Sequence, residues 1–278
     1  MKKLLITGAG GFLGKRAAAY YKDRYDVTAC THSDLDISDP EMVRRDFNRI
    51  RPDFVLHCAA ISNTGYAQEH PDESRLINLD GTMHIARACA AIGAKLVYMS
   101  SDQVYTGCTG SQALTEDLEL YPKNVYGMHK LDAEKLVHTI APDAVGLRLT
   151  WMYDVPGSAH GDKPGLLTNL KAAADGGAPM RGGVQEYRAM TYVWDVVERL
   201  EQCFTLPGGS YNFGASNPLN MYDTLCAVAQ AMGYDPAAVV ALDATATRNI
   251  LIDNTKLHRA GIHFPDTVEG ARRALENA

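Results

Sequence analysis

Tyr126-Gly127-Met128-His129-Lys130 sets a phenol and an amine four positions apart. That spacing puts both on one face of a helix. A phenol with its ordinary pKa of ~10 exchanges protons poorly near neutrality. An ammonium beside it favours the phenolate, and each pKa unit corresponds to ~1.4 kcal/mol. Earlier in the chain, Val97-Tyr98-Met99-Ser100-Ser101 reads as a strand ending in two hydroxyls. A serine there can hydrogen-bond a reacting oxygen. Ser101, Tyr126 and Lys130 together suit proton transfer at a carbonyl or an alcohol. Tyr-x-x-x-Lys alone is common on exposed helix faces, so its surroundings decide what it means.

Those surroundings begin at Lys3-Leu4-Leu5-Ile6-Thr7, an apolar strand followed by Gly8-Ala9-Gly10-Gly11-Phe12-Leu13-Gly14 and a helical run. Glycines let the backbone turn tightly and approach a pyrophosphate. The helix N-terminus then offers unpaired N–H groups and a positive dipole to the anion. The spacing is Gly-x-x-Gly-x-x-Gly rather than Gly-x-Gly-x-x-Gly, because position 13 is Leu. The second strand ends at Cys30-Thr31-His32-Ser33, with no carboxylate before Asp34. An acid at that edge would hold the 2′-hydroxyl of NAD. A small polar edge tolerates a 2′-phosphate better, so NADP is the expected cofactor, with NAD as the alternative. Thr31 and His32 are the candidate contacts, and Asp36-Ile37 stand where an adenine could be met.

The elements that must position these residues alternate. Lys3–Thr7, Asp26–Cys30, Asp53–Cys58, Lys95–Ser100 and Ala144–Leu149 read as strands. Phe12–Asp23, Pro40–Ile50, Glu73–Ile92 and Val125–Ile140 read as helices. Such alternation predicts an α/β fold of Rossmann type, a doubly wound parallel sheet with helices on both faces. Its strands are continuous apolar runs, as burial on both faces requires. Ligands are then expected at the carboxyl ends of the strands, where the glycine loop and Ser101 both fall. After residue 150 the rhythm breaks into Gly- and Pro-rich loops at 154–165 and 175–183. Helices follow at Thr191–Phe204, Leu219–Met232 and Thr267–Glu276, with a strand at Tyr211–Phe213. The division expected is a dinucleotide-binding domain over 1–150, with segments of about 189–214 returning to it, and a mainly substrate-binding lobe over 151–278.

Composition excludes several classes. The 278 residues carry a formal net charge of −6, which does not favour a nucleic-acid polymer as partner. Apolar residues make up 46%, enough for a sizeable core. The six cysteines form no Cys-x-x-Cys pair, and scattered thiols suit a reducing cytoplasm. Met1–Ile6 imitates a signal peptide only until Thr7-Gly8 ends the apolar run. No run is apolar over ~18 residues, so no membrane association is expected. The nine histidines show no metal-ligand spacing, and no catalytic metal is expected.

These residues together resemble the extended short-chain dehydrogenase/reductase family. Thr7–Gly14 matches its Thr-Gly-x-x-Gly-x-x-Gly loop. Cys58-Ala59-Ala60 matches the segment after the third strand, Asn78-Leu79-Asp80-Gly81-Thr82 the Asn-x-x-Gly-Thr helix, and Tyr121-Pro122-x-x-x-Tyr126-x-x-x-Lys130 the active-site helix. The likeness covers essentially the whole chain. Within the family it runs toward the dTDP-4-dehydrorhamnose reductases. Ser100-Ser101-Asp102-Gln103-Val104-Tyr105 parallels their Ser-Thr-Asp-Tyr-Val-Phe, and Leu147-Arg148-Leu149-Thr150-Trp151-Met152-Tyr153 their Leu-Arg-Thr-Ser-Trp-Val-Tyr. The Arg248–Leu257 stretch resembles their C-terminal motif.

The resemblance implies Ser101, Tyr126 and Lys130 as catalytic residues. It implies Gly8, Gly10, Gly11, Phe12, Leu13, Gly14, Cys58, Ala59, Ala60, Asn78, Tyr126 and Lys130 around NADP. Ser101, Asp102, Gln103 and Trp151 fall at the sugar, and Arg188 could grip a nucleotide diphosphate. Departures concern the substrate. Gln103 replaces the usual Tyr, and the segment Arg188–Val193 differs in composition. The related 4,6-dehydratases place Asp and Glu where this chain has Asp102 and Gln103. An amide is no general base near pH 7, so dehydration is disfavoured. The reading is an NAD(P)H-dependent reductase of a 4-keto sugar nucleotide, with a homodimer compatible. Alternatives are a sugar-nucleotide epimerase, a reductase of another carbonyl, or a non-catalytic NADP-binding regulatory subunit like that of methionine adenosyltransferase.

Overall fold

Strand β1 (Lys3–Thr7) runs through the glycine loop into α1 (Phe12–Tyr21), and β2 (Asp26–Cys30) follows. Then come α2 (Pro40–Ile50), β3 (Phe54–His57), α3 (Thr64–Glu69), α4 (Pro71–Arg75), a π-helical stretch Leu76–Gly81, α5 (Thr82–Ile92) and β4 (Lys95–Ser101). Helix α6 (Val125–Ile140) and β5 (Val145–Leu149) complete the alternation. The remainder adds β6 (Trp151–Tyr153), α7 (Leu166–Ala174), β7 (Met180–Gly182), β8 (Gln185–Tyr187), β9 (Met190–Tyr192), α8 (Val193–Arg199) and β10 (Gly209–Phe213). Last are α9 (Met221–Ala231), α10 (Pro236–Val239), β11 (Val240–Leu242), β12 (Thr247–Asn249), α11 (Thr255–Arg259) and α12 (Thr267–Glu276). This computed structural model describes residues 1–161 and 164–278. Asp162 and Lys163, within the loop expected at 154–165, lie outside the described residues.

Six strands form one sheet in the order β2-β1-β3-β4-β5-β10, and β1–β2, β1–β3 and β3–β4 pair in parallel. This is the doubly wound α/β sheet expected of a Rossmann-type fold. The strand order reverses at β1 and β3, and the glycine loop leaves β1 at that switch point. Helix α2 starts as its sequence dictates. Asp39 Oδ1 accepts from the N–H groups of Glu41 and Met42, with Pro40 in the first turn.

The chain divides into two compact units. One comprises Met1–Val104, Tyr121–Arg148 and Val197–Tyr211; the other comprises Tyr105–Leu120, Leu149–Val196 and Asn212–Ala278. Of the segment at about 189–214, Val197–Tyr211 falls in the first unit, and Tyr105–Leu120 falls in the second. The first unit's core includes Leu5, Val43, Phe47, Val55, Ile85, Leu96 and Val137, all buried. Phe47→Ala should lower stability by ~3–5 kcal/mol, the usual cost of a phenylalanine-sized cavity. Urea unfolding checks this, and an unchanged midpoint would mean that the site collapses freely. The second unit's core gathers Leu166, Leu167 and Leu170 of α7, Leu225 and Val228 of α9, and Ala271 of α12.

Two expected helices differ. Glu73–Ile92 is interrupted by the π-helical stretch, where the Asn78 side chain reaches out to the loop after β3. The helix expected at Thr191–Phe204 begins only at Val193, because Thr191 pairs in a strand with Met152. Its end tightens into a 3-10 turn over Leu200–Thr205. Among the described residues, no helix is long and apolar enough to cross a membrane, and no group of three or more His, Cys, Asp or Glu is placed to hold a metal ion.

Candidate active site

Helix α6 starts at Asn124, whose Oδ1 accepts from the Gly127 N–H at 2.7 Å and whose Nδ2 donates to Gln103 Oε1 at 3.1 Å. A Cβ on Gly127 would overlap the Gln103 carbonyl oxygen. The glycine beside Tyr126 thus lets the helix start lie directly on the turn after β4. The Ser101 side chain lies close enough to the Tyr126 phenol to act on it. Ser101 Oγ also donates to Asp102 Oδ1 at 3.3 Å and accepts from the Gln103 N–H at 3.2 Å. Lys130 Nζ lies 5.7 Å from the centre of the Tyr126 ring and donates to the Met99 carbonyl at 2.8 Å. Ser101, Tyr126 and Lys130 are thereby brought together, all three buried.

The electrostatics differ from the expectation in one respect. Burial, and then the Asp102 carboxylate, push the Tyr126 phenol above its ordinary range; the nearby Ser101 hydroxyl opposes them. The Tyr126 phenol is thereby kept protonated near neutral pH. Lys130 is not among the groups that shift this phenol, and its ammonium donates to the Met99 carbonyl. Burial lowers Lys130 to about 8, while Cys58 and Glu134 act to raise it.

The glycine loop fits a bound pyrophosphate. Gly8 has φ +66°, and a Cβ there would lie 2.5 Å from the Ala59 nitrogen. Gly10 and Gly11 are exposed, whereas Leu13 and Gly14 are buried. Gly11 is the N-cap of α1. Among the described residues no side chain caps this helix, and its first turn carries no acid. The start of such a helix, with its dipole, favours an anion. Phe12 opens this helix.

At the end of β2, Asp34 Oδ2 accepts from the Thr31 N–H at 2.8 Å and the Thr31 hydroxyl at 2.6 Å. His32 is exposed beside it. A carboxylate thus folds back onto the strand end, which the spacing alone did not disclose. Asp36 accepts from the N–H and hydroxyl of Ser38, and Ile37 is buried with its carbonyl bonded to His84 Nδ1.

Cys58, Ala59 and Ala60 are half-buried in the loop after β3. Burial pushes the Cys58 thiol up to about 12, so it is inert at neutral pH. Asn78 Oδ1 accepts from the Ile61 N–H, and its Nδ2 donates to the Ile61 carbonyl and Ser74 Oγ. Its side chain shapes this loop. A run of hydrogen bonds missed in the sequence supports the same loop. Thr82 donates its hydroxyl proton to the Asn78 carbonyl, so His57 Nε2 must donate to Thr82 Oγ1. His57 Nδ1 then accepts from Thr7, whose oxygen accepts from the Ala59 N–H. Burial holds His57 neutral, down to about 3. The Asn-x-x-x-Thr and His-Cys-Ala-Ala patterns gave no signal of such a chain.

In the other unit, the Arg188 guanidinium lies over the Trp151 ring at 5.0 Å, a cation–π contact that displays both side chains half-buried. Asp195 lies in the first turn of α8 and accepts from Arg273 at 2.6 Å.

Residues 1–250 match the RmlD substrate binding domain family. The chain is 32% identical over 238 residues to the spore coat polysaccharide biosynthesis protein SpsK of Bacillus subtilis (strain 168), covering 85% of this chain and 82% of that one. It is 30% identical over 241 residues to the dTDP-4-dehydrorhamnose reductase of Mycolicibacterium smegmatis, covering 86% of this chain and 72% of that enzyme. A crystal structure of dTDP-4-dehydrorhamnose reductase from Bacillus anthracis, in complex with NADP, superposes with a TM-score of 0.88 at 24% identity, covering 100% of both chains. That likeness shows a shared fold.

Proposed function

This chain belongs to the RmlD substrate binding domain family, and from that premise we propose that it is an NADPH-dependent reductase of a 4-keto sugar nucleotide. The observation that carries the reading is the buried placement of Ser101 beside Tyr126, with Lys130 on the next turn. When bound, reduced nicotinamide supplies a hydride to the ketone carbon. Tyr126, protonated across the physiological range, gives its proton to the ketone oxygen. Ser101 holds that oxygen as charge develops on it, and Lys130 contributes positive charge within the site. Gly8, Gly10, Gly11, Phe12, Leu13, Gly14, Thr31, His32, Asp36, Ile37, Cys58, Ala59 and Ala60 would hold the nucleotide, with Asn78 shaping their loop. Asp102, Gln103, Trp151 and Arg188 are proposed for the sugar nucleotide. The Arg188 fork matches a diphosphate, and the indole offers a flat wall to a sugar. The test is consumption of NADPH with a panel of keto-sugar nucleotides. Absence of any turnover while NADPH binds would leave the regulatory-subunit reading in its place.

The cofactor preference has its own test. No carboxylate comes from Thr31 or His32, and that of Asp34 is tied to the Thr31 N–H and hydroxyl. NADPH should bind more tightly than NADH. Asp34→Asn, which removes the nearest negative charge, should widen the preference by roughly two- to fivefold, the size of an exposed charge contact. Fluorescence titration with both nucleotides decides it. A wild-type preference for NADH that Asp34→Asn abolishes would show instead that Asp34 receives the ribose.

A further inference from the structure

Three residues of α6, at successive four-residue steps, meet three consecutive residues of β4. Tyr126 lies beside Ser101, Lys130 bonds the Met99 carbonyl, and Glu134 Oε1 accepts from Ser100 Oγ at 2.5 Å. The first two contacts carry the proposed chemistry. The third has no part in it, yet its carboxylate makes several further contacts. Glu134 also accepts from Arg148 Nε at 3.0 and 3.2 Å, from Arg148 Nη2 at 2.7 Å and from Ser210 Oγ at 2.9 Å. One carboxylate therefore ties α6 to β4, β5 and the neighbouring β10. The next step along the helix, His138, pairs through Nε2 with the same Ser210 hydroxyl at 3.2 Å.

Both charges are buried, with side chains 5% and 4% exposed for Arg148 and Glu134. Desolvation offsets most of the attraction in such a pair, and apolar residues of equal volume often serve stability as well. What apolar packing lacks is direction. It tolerates a small slide of the helix, whereas a guanidinium fork gripping both carboxylate oxygens does not. We propose that Glu134, gripped by Arg148, is a positioning residue that fixes the register of α6 on β4 and so holds Tyr126 and Lys130 against the Ser101 strand end. This inference rests on the catalytic reading above and deepens it.

Glu134 also faces Lys130 electrostatically. The other titratable groups around that ammonium are Tyr126 on its own helix and His57 and Cys58 from β3 and the loop after it. Arg148 on β5 lies one step beyond, through Glu134. Glu134→Gln removes a negative neighbour and should move the Lys130 titration to lower pH. Arg148→Met removes a positive one and should move it to higher pH. A merely structural lesion lets water in and moves both upward.

The experiment is the Lys130 titration by NMR on the protein without added nucleotide, together with kcat and KM for NADPH-dependent reduction. The expected result is opposite titration shifts, with kcat reduced by about tenfold or more in each variant and KM little changed, as misplaced catalytic groups produce. Where a single variant fails to fold, Glu134→Gln/Arg148→Met removes both charges at once. It should fold, titrate near the wild-type midpoint and still lose about tenfold in kcat. Shifts in one common direction, or wild-type kcat in the double variant, would overturn the positioning role. Failure of the catalytic reading is told apart by Tyr126→Phe. If that variant keeps its turnover the reading itself is lost; if it loses turnover while the double variant keeps it, only Glu134 is.

Discussion

Tyr126→Phe should reduce keto-sugar turnover by ~10²–10⁴-fold, the usual contribution of a positioned proton donor, while NADPH affinity and fold are retained. The substitution deletes one hydroxyl and leaves the ring that packs beside Lys130. Ser101 keeps Asp102 and the Gln103 N–H, so no buried group is stranded. Ser101→Ala should be milder, on the order of 10²–10³, because it removes one hydrogen bond to a developing oxyanion rather than the proton itself. The pH dependence follows from the same geometry. Burial and Asp102 raise the phenol, so its proton is present throughout the neutral range. Burial lowers Lys130 to about 8, so its charge is present below that pH and lost above it. Reduction should therefore decline on the alkaline side with a midpoint near 8. Near-normal turnover by Tyr126→Phe would rule the mechanism out, and a flat profile well above that midpoint would remove the Lys130 charge from it.

The strands of the first unit were legible because their apolar runs are short and bounded by turn residues. Lys3–Thr7 and Asp26–Cys30 coincide with the observed strands, and Pro40–Ile50, Val125–Ile140 and Thr267–Glu276 with helices. The second unit was not legible in the same way. Its strands β6 to β9, β11 and β12 have three residues each, too few for any period to declare itself. Within the site, motif residues were visible by type and spacing, but their partners were not. Glu134 looks like one more polar residue on a helix until Arg148, fourteen positions away, is seen gripping it. His57 reads as a strand end until Thr7 and Thr82 close on its two ring nitrogens. Asp34 reads as too late to reach the strand end until the turn folds it back. In each case the decisive contact joins separate elements or depends on a turn, and linear spacing carries neither.

Gly14→Ala should already abolish most NADPH binding, and Gly14→Asp should do so completely. The sequence suggests electrostatics, a carboxylate set beside a pyrophosphate at the helix start. The structure puts sterics first. A Cβ at Gly14 would overlap the Gly8 carbonyl oxygen and lie 2.9 Å from its carbon. Backbone atoms cannot swing aside as a side-chain end can, so the loop must move off α1. Gly8 has little freedom to follow, since it holds φ +66° against Ala59. Overpacking of this kind costs ~1–3 kcal/mol of stability, and it falls on the loop whose backbone shape is the binding device. The added charge of Asp then repels the anion and opposes the helix-end attraction. Gly10→Ala supplies the stability control, because its Cβ would meet only Thr31 Cγ2 at 3.7 Å, an ordinary contact. Melting of both alanine variants and NADPH titration of Gly14→Ala make the comparison. Gly14→Ala should melt below wild type and bind at least ~10-fold more weakly, which is ~1.4 kcal/mol; Gly10→Ala should melt with wild type. A Gly14→Ala protein with wild-type melting and wild-type NADPH affinity would show that the Gly8–Gly14 contact does not shape the cofactor loop.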